Sequence, residues 1–187
     1  LPIFYASTAY NLGATLLGLG RADEARLNLR TAVSVWTESP GELRPDLGIA
    51  HLSLAGIALA AGRHAEAEHE IDRAEAILRA TRPARHPDLG DVASARAAVA
   101  FARGDFPAAR LALDQVVDIY REAFGPDDMY LAKVTAERGW VAIASGRIED
   151  AERDFEAADA ALRGNEELAS LRESSLRGLA VVAGSRG

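Results

Sequence analysis

Gly20, Gly62, Gly104 and Gly146 stand 42 residues apart without slippage, and this spacing constrains the fold more than any other feature of the chain. Around them the segments LGLGRADEAR, LAAGRHAEAE, FARGDFPAAR and IASGRIEDAE align. Each glycine is followed at a fixed interval by Ala25, Ala67, Ala109 and Ala151, then by a larger apolar residue at Leu29, Ile71, Leu113 and Phe155, then by Ala32, Ala74, Val116 and Ala158. Those offsets, i, i+4 and i+7, fall on one face of a helix, so each segment opens a helix with a small, large, small stripe that a neighbour can approach closely. Self-similarity at a period in this range marks stacked supersecondary units. The chain therefore reads as a helical hairpin repeated four times.

The turn between paired helices falls at the glycine, where a left-handed C-terminal cap favours a residue without Cβ. Before it, each first helix carries a small residue at the same register, Gly13, Ala55, Ala97 and Gly139. Pro45 and Pro87, also 42 apart, suit the first position of a helix, where the missing N–H costs nothing. Met129 takes that place in the last repeat, so Pro126 is expected to start its helix one turn earlier. Helices are expected near 3–19, 22–38, 45–61, 64–81, 87–103, 106–123, 127–145 and 148–163, giving hairpins at about 3–38, 45–81, 87–123 and 127–163 within one repeat domain over 1–187. A capping helix near 166–182 is expected to expose Glu166, Glu167, Arg172, Glu173 and Arg177, as a terminal repeat requires.

Composition narrows the function classes. A net charge of -7 with scattered arginines argues against nucleic acid, because phosphate binding needs concentrated Lys and Arg. With no Cys in the chain, disulfides, Cys-ligated zinc and thiol nucleophiles are excluded, and a cytoplasmic setting is the default. Residues 1–19 contain no charged side chain, yet Ser7, Thr8, Asn11 and Thr15 interrupt them. That pattern suits a helix covered by protein rather than a membrane span. Because the chain starts at Leu1 without Met, it is read as a fragment of a larger protein.

These residues resemble the tetratricopeptide repeat family: Leu12, Gly13 and Leu16, followed by Ala25 and Leu29, are similar to its consensus without the leading aromatic residue. The 42-residue period, with GPDDMYLA and RHPDLGDVA before the first helices, is similar to the kinesin light chain variety. The resemblance covers about residues 3–163. It implies an all-α, right-handed α-solenoid whose first helices line a concave groove for peptides or protein segments. It also implies a setting in a larger bacterial signalling or regulatory protein.

If the first helices line a groove, its candidate positions are Ser7, Tyr10, Ala14 and Leu17; Ile49, Leu52, Gly56 and Leu59; Asp91, Ser94, Ala98 and Phe101; Lys133, Ala136, Trp140 and Ile143. Asn11, Ser53 and Glu137 lie beside them. The character changes along the series, from apolar and small in the first half to charged and aromatic at Asp91, Lys133 and Trp140. Of the five-residue clamp with which some tetratricopeptide repeats hold a carboxylate tail, only Lys133 has a counterpart. Arg96 and Arg138 occupy the register of Leu12 and Leu54; a guanidinium in a core position must find partners or reach solvent. The expected partners are Glu137, Asp114 or Asp118, and the alternative is a rung of two arginines that accepts an acidic ligand.

No catalytic or cofactor motif is present: HExxH, the Walker loop and GxSxG are all missing. His64 and His69 are read as solvated helix positions, His51 as a core or groove histidine, and His86 as a linker residue. The acidic run Glu149, Asp150, Glu152, Asp154, Glu156 and Asp159 is read as an outer face. The chain is thus expected to be a non-enzymatic module with no cofactor or metal, whose groove holds a peptide or protein segment. The alternative is a structural or oligomerising element that packs through its uncharged first helix.

Overall fold

A computed structural model of the protein describes residues 2–39, 44–163 and 168–185. Among them lie nine α-helices: α1 (Pro2–Gly18), α2 (Ala22–Glu38), α3 (Pro45–Ala60), α4 (His64–Thr81), α5 (Pro87–Ala102), α6 (Phe106–Phe124), α7 (Met129–Ala144), α8 (Ile148–Leu162) and α9 (Ala169–Gly184). They group into two compact units, residues 1–84 and 85–187. None of the described helices is long and apolar enough to cross a membrane.

The periodic glycines do what their spacing implies. Gly20, Gly62, Gly104 and Gly146 all have φ between 71° and 77°. After α3 the Gly62 N–H bonds to the Leu59 carbonyl at 2.9 Å and the Arg63 N–H to the Ala58 carbonyl at 2.8 Å. This is the paired capping pattern of a left-handed residue, and it satisfies carbonyls that the helix itself leaves unbonded. The same two bonds recur after α1, α5 and α7.

Helix starts follow side-chain chemistry as well as period. Pro45 and Pro87 occupy the first turns of α3 and α5. The His86 ring nitrogen accepts the Asp88 N–H at 3.1 Å, so this linker histidine is an N-cap. The last repeat departs from expectation: α7 begins at Met129 rather than near Pro126, because the Asp128 carboxylate accepts the Tyr130 and Leu131 N–H groups at 2.7 and 3.4 Å. A side-chain cap thus outweighs the proline as a start signal. The capping helix starts at Ala169, three residues later than expected; Glu166 and Glu167 lie outside the described residues.

In the first unit α1 packs on α2, α2 on α3 and α3 on α4. Ala25, Leu29 and Ala32 are fully buried, and a Cβ on Gly13 would stand 2.8 Å from Leu29 Cγ. The small residue of the first helix therefore receives the large residue of the second, and each such Leu or Ile contributes about 1.5–3 kcal/mol by leaving water. A second small-to-large contact was not read from the sequence. A Cβ on Gly48 would lie 2.7 Å from Leu78 Cγ.

In the second unit α5 packs on α6, α6 on α7, α7 on α8, and α9 on both α8 and α7. Here the second small-to-large contact is Gly90 on Tyr120, 2.5 Å from a built Cβ to Cε1. Phe155, fully buried, lies between two glycines: a Cβ on Gly139 would be 2.8 Å from its ring and one on Gly178 2.4 Å. Small residues on α7 and α9 thus let both helices close on one aromatic ring.

The acidic run of α8 is only in part a solvated face. Asp154 and Asp159 are 7% and 4% exposed. Arg138 on α7 clamps Asp154 with both prongs of its guanidinium, at 2.9 and 2.6 Å, and gives its remaining nitrogen to Asp114 on α6 at 2.8 Å. Asp159 accepts Arg163 at 2.6 Å and Arg172 of α9 at 2.5 Å, so Arg172 fastens the capping helix instead of facing solvent. Both guanidiniums hold the Asp159 carboxyl below the usual aspartate range, against its burial. Glu149 and Glu156 are exposed as expected.

Candidate functional site

The first helices of the second unit, α5 and α7, enclose a concave pocket with α6 behind them. Its volume is about 300 Å³, lined by Ser94, Ala97, Ala98 and Phe101 of α5, Leu113 of α6, and Glu137, Trp140 and Val141 of α7. Its floor is the small-to-large contact of the repeat: Ala97, Leu113 and Val141 are 4%, 3% and 5% exposed. Residues one turn apart on α5 and α7 rise from that floor as walls, as i, i+3 and i+7 positions must.

The two aromatic walls are held from behind. Trp140 stacks edge-on against Phe155 with centroids 5.1 Å apart, and its indole N–H donates to Ser174 Oγ of α9 at 3.1 Å. Phe101, 44% exposed, leans on Phe106 at 5.6 Å. Such ring pairs fix orientation and add about 0.5–1.5 kcal/mol each beyond burial. The pocket is therefore largely preformed, as small binding sites generally are.

One ionisable side chain lines it. Burial raises the Glu137 carboxyl above the usual glutamate range while Lys133 pulls it down. Lys133 Nζ lies 3.9 Å from Glu137 Oε1, and both side chains are about half exposed. Next to this group the Tyr120 hydroxyl donates to the Asp91 carboxylate. Burial also raises Asp91, opposed by that hydrogen bond. Asp91, Ser94, Tyr120, Lys133 and Glu137 thus form a polar margin around an apolar hollow.

Ser94, Phe101, Glu137 and Trp140, expected from the sequence, are brought together here, with Asp91 and Lys133 at the margin. Ala136, expected on the same face, is instead buried. Ala97, Leu113 and Val141 were missed as pocket residues; the repeat register of Ala97 and Leu113 was the available signal. In the first unit Tyr10, Ile49, Leu52 and Ser53 are half-buried and Asn11 is exposed. Tyr10 rests on Trp36 with centroids 5.8 Å apart, and Ser53 Oγ donates back to the Ile49 carbonyl.

Of the two readings of the arginine pair, the expected internal ion pair is present at Arg138. Arg138 is committed to Asp114 and Asp154, the first of which was anticipated. Arg96 is exposed rather than in a core position; in the same register Leu12 is 48% exposed and Leu54 5% exposed, so the register alone does not decide burial. His51 is a core residue, 3% exposed, with Nδ1 2.6 Å from Glu70 Oε2. Among the described residues no three His, Cys, Asp or Glu side chains are grouped as metal ligands.

Comparison with known proteins agrees with this architecture. A crystal structure of nearly identical TPR-like repeats named for kinesin light chain, from Podosopora anserina, superposes with a TM-score of 0.79 at 21% identity, covering 100% of this chain and 89% of that one. The crystal structure of BtubC (BKLC) from P. vanneervenii gives 0.81 at 18% identity over 94% of this chain and 70% of that one. No curated protein matches the sequence significantly. The tetratricopeptide repeat profile matches residues 4–80 and 88–163, so the chain belongs to the tetratricopeptide repeat family.

Proposed function

We propose that the chain works as one repeat domain over residues 1–187 that captures a peptide or protein segment without catalysing a reaction, as a module of a larger bacterial signalling or regulatory protein in the cytoplasm. The observation that carries this reading is the preformed α5–α7 pocket: a concave apolar hollow between two braced aromatic walls, with a polar margin. Hollows of this kind accept one anchoring side chain, and the polar rim sets orientation. The family supports it further, since tetratricopeptide repeats are generally protein-interaction modules.

The test is selection of twelve-residue peptides from a displayed random library on the immobilised protein. Binding is then repeated with Ala98→Phe, a change at an exposed position that fills the hollow from its rim. Selected peptides are expected to lose at least tenfold in affinity. Equal binding by the variant would place the ligand elsewhere.

A second reading rests on α1. Tyr5 and Leu12 are 60% and 48% exposed, whereas Leu47 and Leu54, one period later on α3, are 7% and 5% exposed beneath α2. The face of α1 that corresponds to this buried stripe is apolar and open, and Phe4 (78% exposed) adds to it. In this reading α1 mediates self-association. Light scattering would then show a concentration-dependent dimer, abolished by Phe4→Glu with Tyr5→Glu; a monomer at all concentrations contradicts it.

A further inference from the structure

Three acids of the second unit contrast with Glu137 in how their charge is answered. Asp154, Asp159 and Asp150 each receive a guanidinium from another helix, at 2.6 Å from Arg138, 2.5 Å from Arg172 and 3.0 Å from Arg110. Glu137 instead faces the pocket with a lysine of its own helix at 3.9 Å, at the outer limit of an ion pair and half in solvent, where such pairs contribute little. Its surroundings are Phe101, Trp140 and the alanines of α5. The groups from packed elements that interact electrostatically with it are Lys133 on α7 and Tyr120 on α6, and the second brings no positive charge.

We infer that the α5–α7 pocket takes an arginine side chain of the partner segment, its aliphatic stem between Phe101 and Trp140 and its guanidinium on the Glu137 carboxylate. Three features select this chemistry. Aromatic faces attract a cation and suit the flat, weakly hydrated guanidinium better than an ammonium. A carboxylate at the edge of an apolar hollow is matched by a planar fork that donates two hydrogen bonds. The net charge of -7 favours approach of a basic segment and disfavours an acidic one. The raised Glu137 carboxyl fits the same picture, since an arriving cation would favour its charged form. The inference rests on the reading of the pocket as the segment-binding site.

The experiment uses four displayed libraries of twelve-residue peptides with randomised flanks and a fixed central Arg, Lys, Leu or Glu, selected on the whole chain and on Glu137→Gln and Ala98→Phe. Both variants alter exposed positions, and circular dichroism checks that they remain helical. The expected result is enrichment of the central-Arg library at least tenfold over central-Glu and severalfold over central-Lys. Glu137→Gln should bring central-Arg capture down to the central-Leu level, and Ala98→Phe should remove it. Preferential capture of central-Leu peptides that Glu137→Gln leaves intact and Ala98→Phe abolishes would overturn the arginine assignment and leave the pocket reading standing. Capture indifferent to Ala98→Phe would overturn both.

Discussion

Glu70 in the first unit and Asp154 in the second occupy the same register, twice the 42-residue period apart, and each is answered by a different partner. In the first unit the partner is His51, 2.6 Å from Glu70 and almost fully buried. In the second it is Arg138, whose fork holds Asp154 at two points and reaches Asp114 as well. One register thus anchors a histidine–carboxylate pair in one unit and a three-helix arginine junction in the other. The pocket shows the same divergence. Positions equivalent to Glu137 and Trp140 in the first unit are Ser53 and Gly56, so its counterpart carries neither the charge nor the aromatic wall. The lesson is that the repeat fixes where side chains meet, while the residues at those meeting points decide what chemistry each unit presents.

Removing the strongest of these anchors has the largest expected effect. Arg138→Leu would leave Asp154 buried without its fork, and loss of one partner of a buried pair costs about 3–5 kcal/mol. Thermal melts should show that loss, with increased hydrogen exchange in α7 and α8; unchanged stability would mean that the junction is not structural. Next comes overpacking at the Phe155 sandwich. Gly178→Ala places a Cβ within 2.4 Å of the ring, at an expected cost of about 1–3 kcal/mol, read by denaturant unfolding.

His51→Ala leaves the Glu70 carboxylate unpartnered in the first unit and is expected to cost about 1–3 kcal/mol. The pair also has an acid signature. Burial pushes the Glu70 carboxyl up, but the hydrogen bond and charge of His51, with His69 and Arg30, lower it on balance. A depressed carboxyl stabilises the fold above its unfolded pKa, and that stability is lost as the pH falls through the folded value. Protection of α3 and α4 should therefore decline only below about pH 4.3, the ordinary glutamate range. Decline already near neutrality would contradict the assignment. Glu137 has the opposite sign: its raised carboxyl disfavours the folded state above the unfolded pKa. Glu137→Gln should thus leave stability unchanged or raise it by about 0.5 kcal/mol or less, the range of exposed substitutions.

Much of the helical framework was legible because it is written in period. The 42-residue glycines locate the turns, the small and large residues at i, i+4 and i+7 locate the inner faces, and α2 and α4 begin and end where that pattern places them. What the period does not carry is chemistry between helices. Asp154 and Asp159 read as outer-face residues because a run of acids on an amphipathic helix is usually solvated, and their partners lie on α7 and α9, whose side chains meet them only after packing. The start of α7 at Met129 rather than near Pro126 follows from the Asp128 cap, local chemistry that the 42-residue register does not carry. Five of the eight pocket residues, Ser94, Ala98, Phe101, Glu137 and Trp140, were visible as positions on α5 and α7; its floor required the contact of Ala97 with α6.

The contrast between the two units is tested most directly by amide chemical-shift mapping of the whole chain with a peptide selected on it. The largest changes are expected at Ser94, Ala98, Phe101, Glu137 and Trp140, with the equivalent residues Tyr10, Ala14, Leu17, Ser53 and Gly56 unmoved. Changes centred on the first unit, with the α5–α7 pocket silent, would contradict the assignment of the binding site.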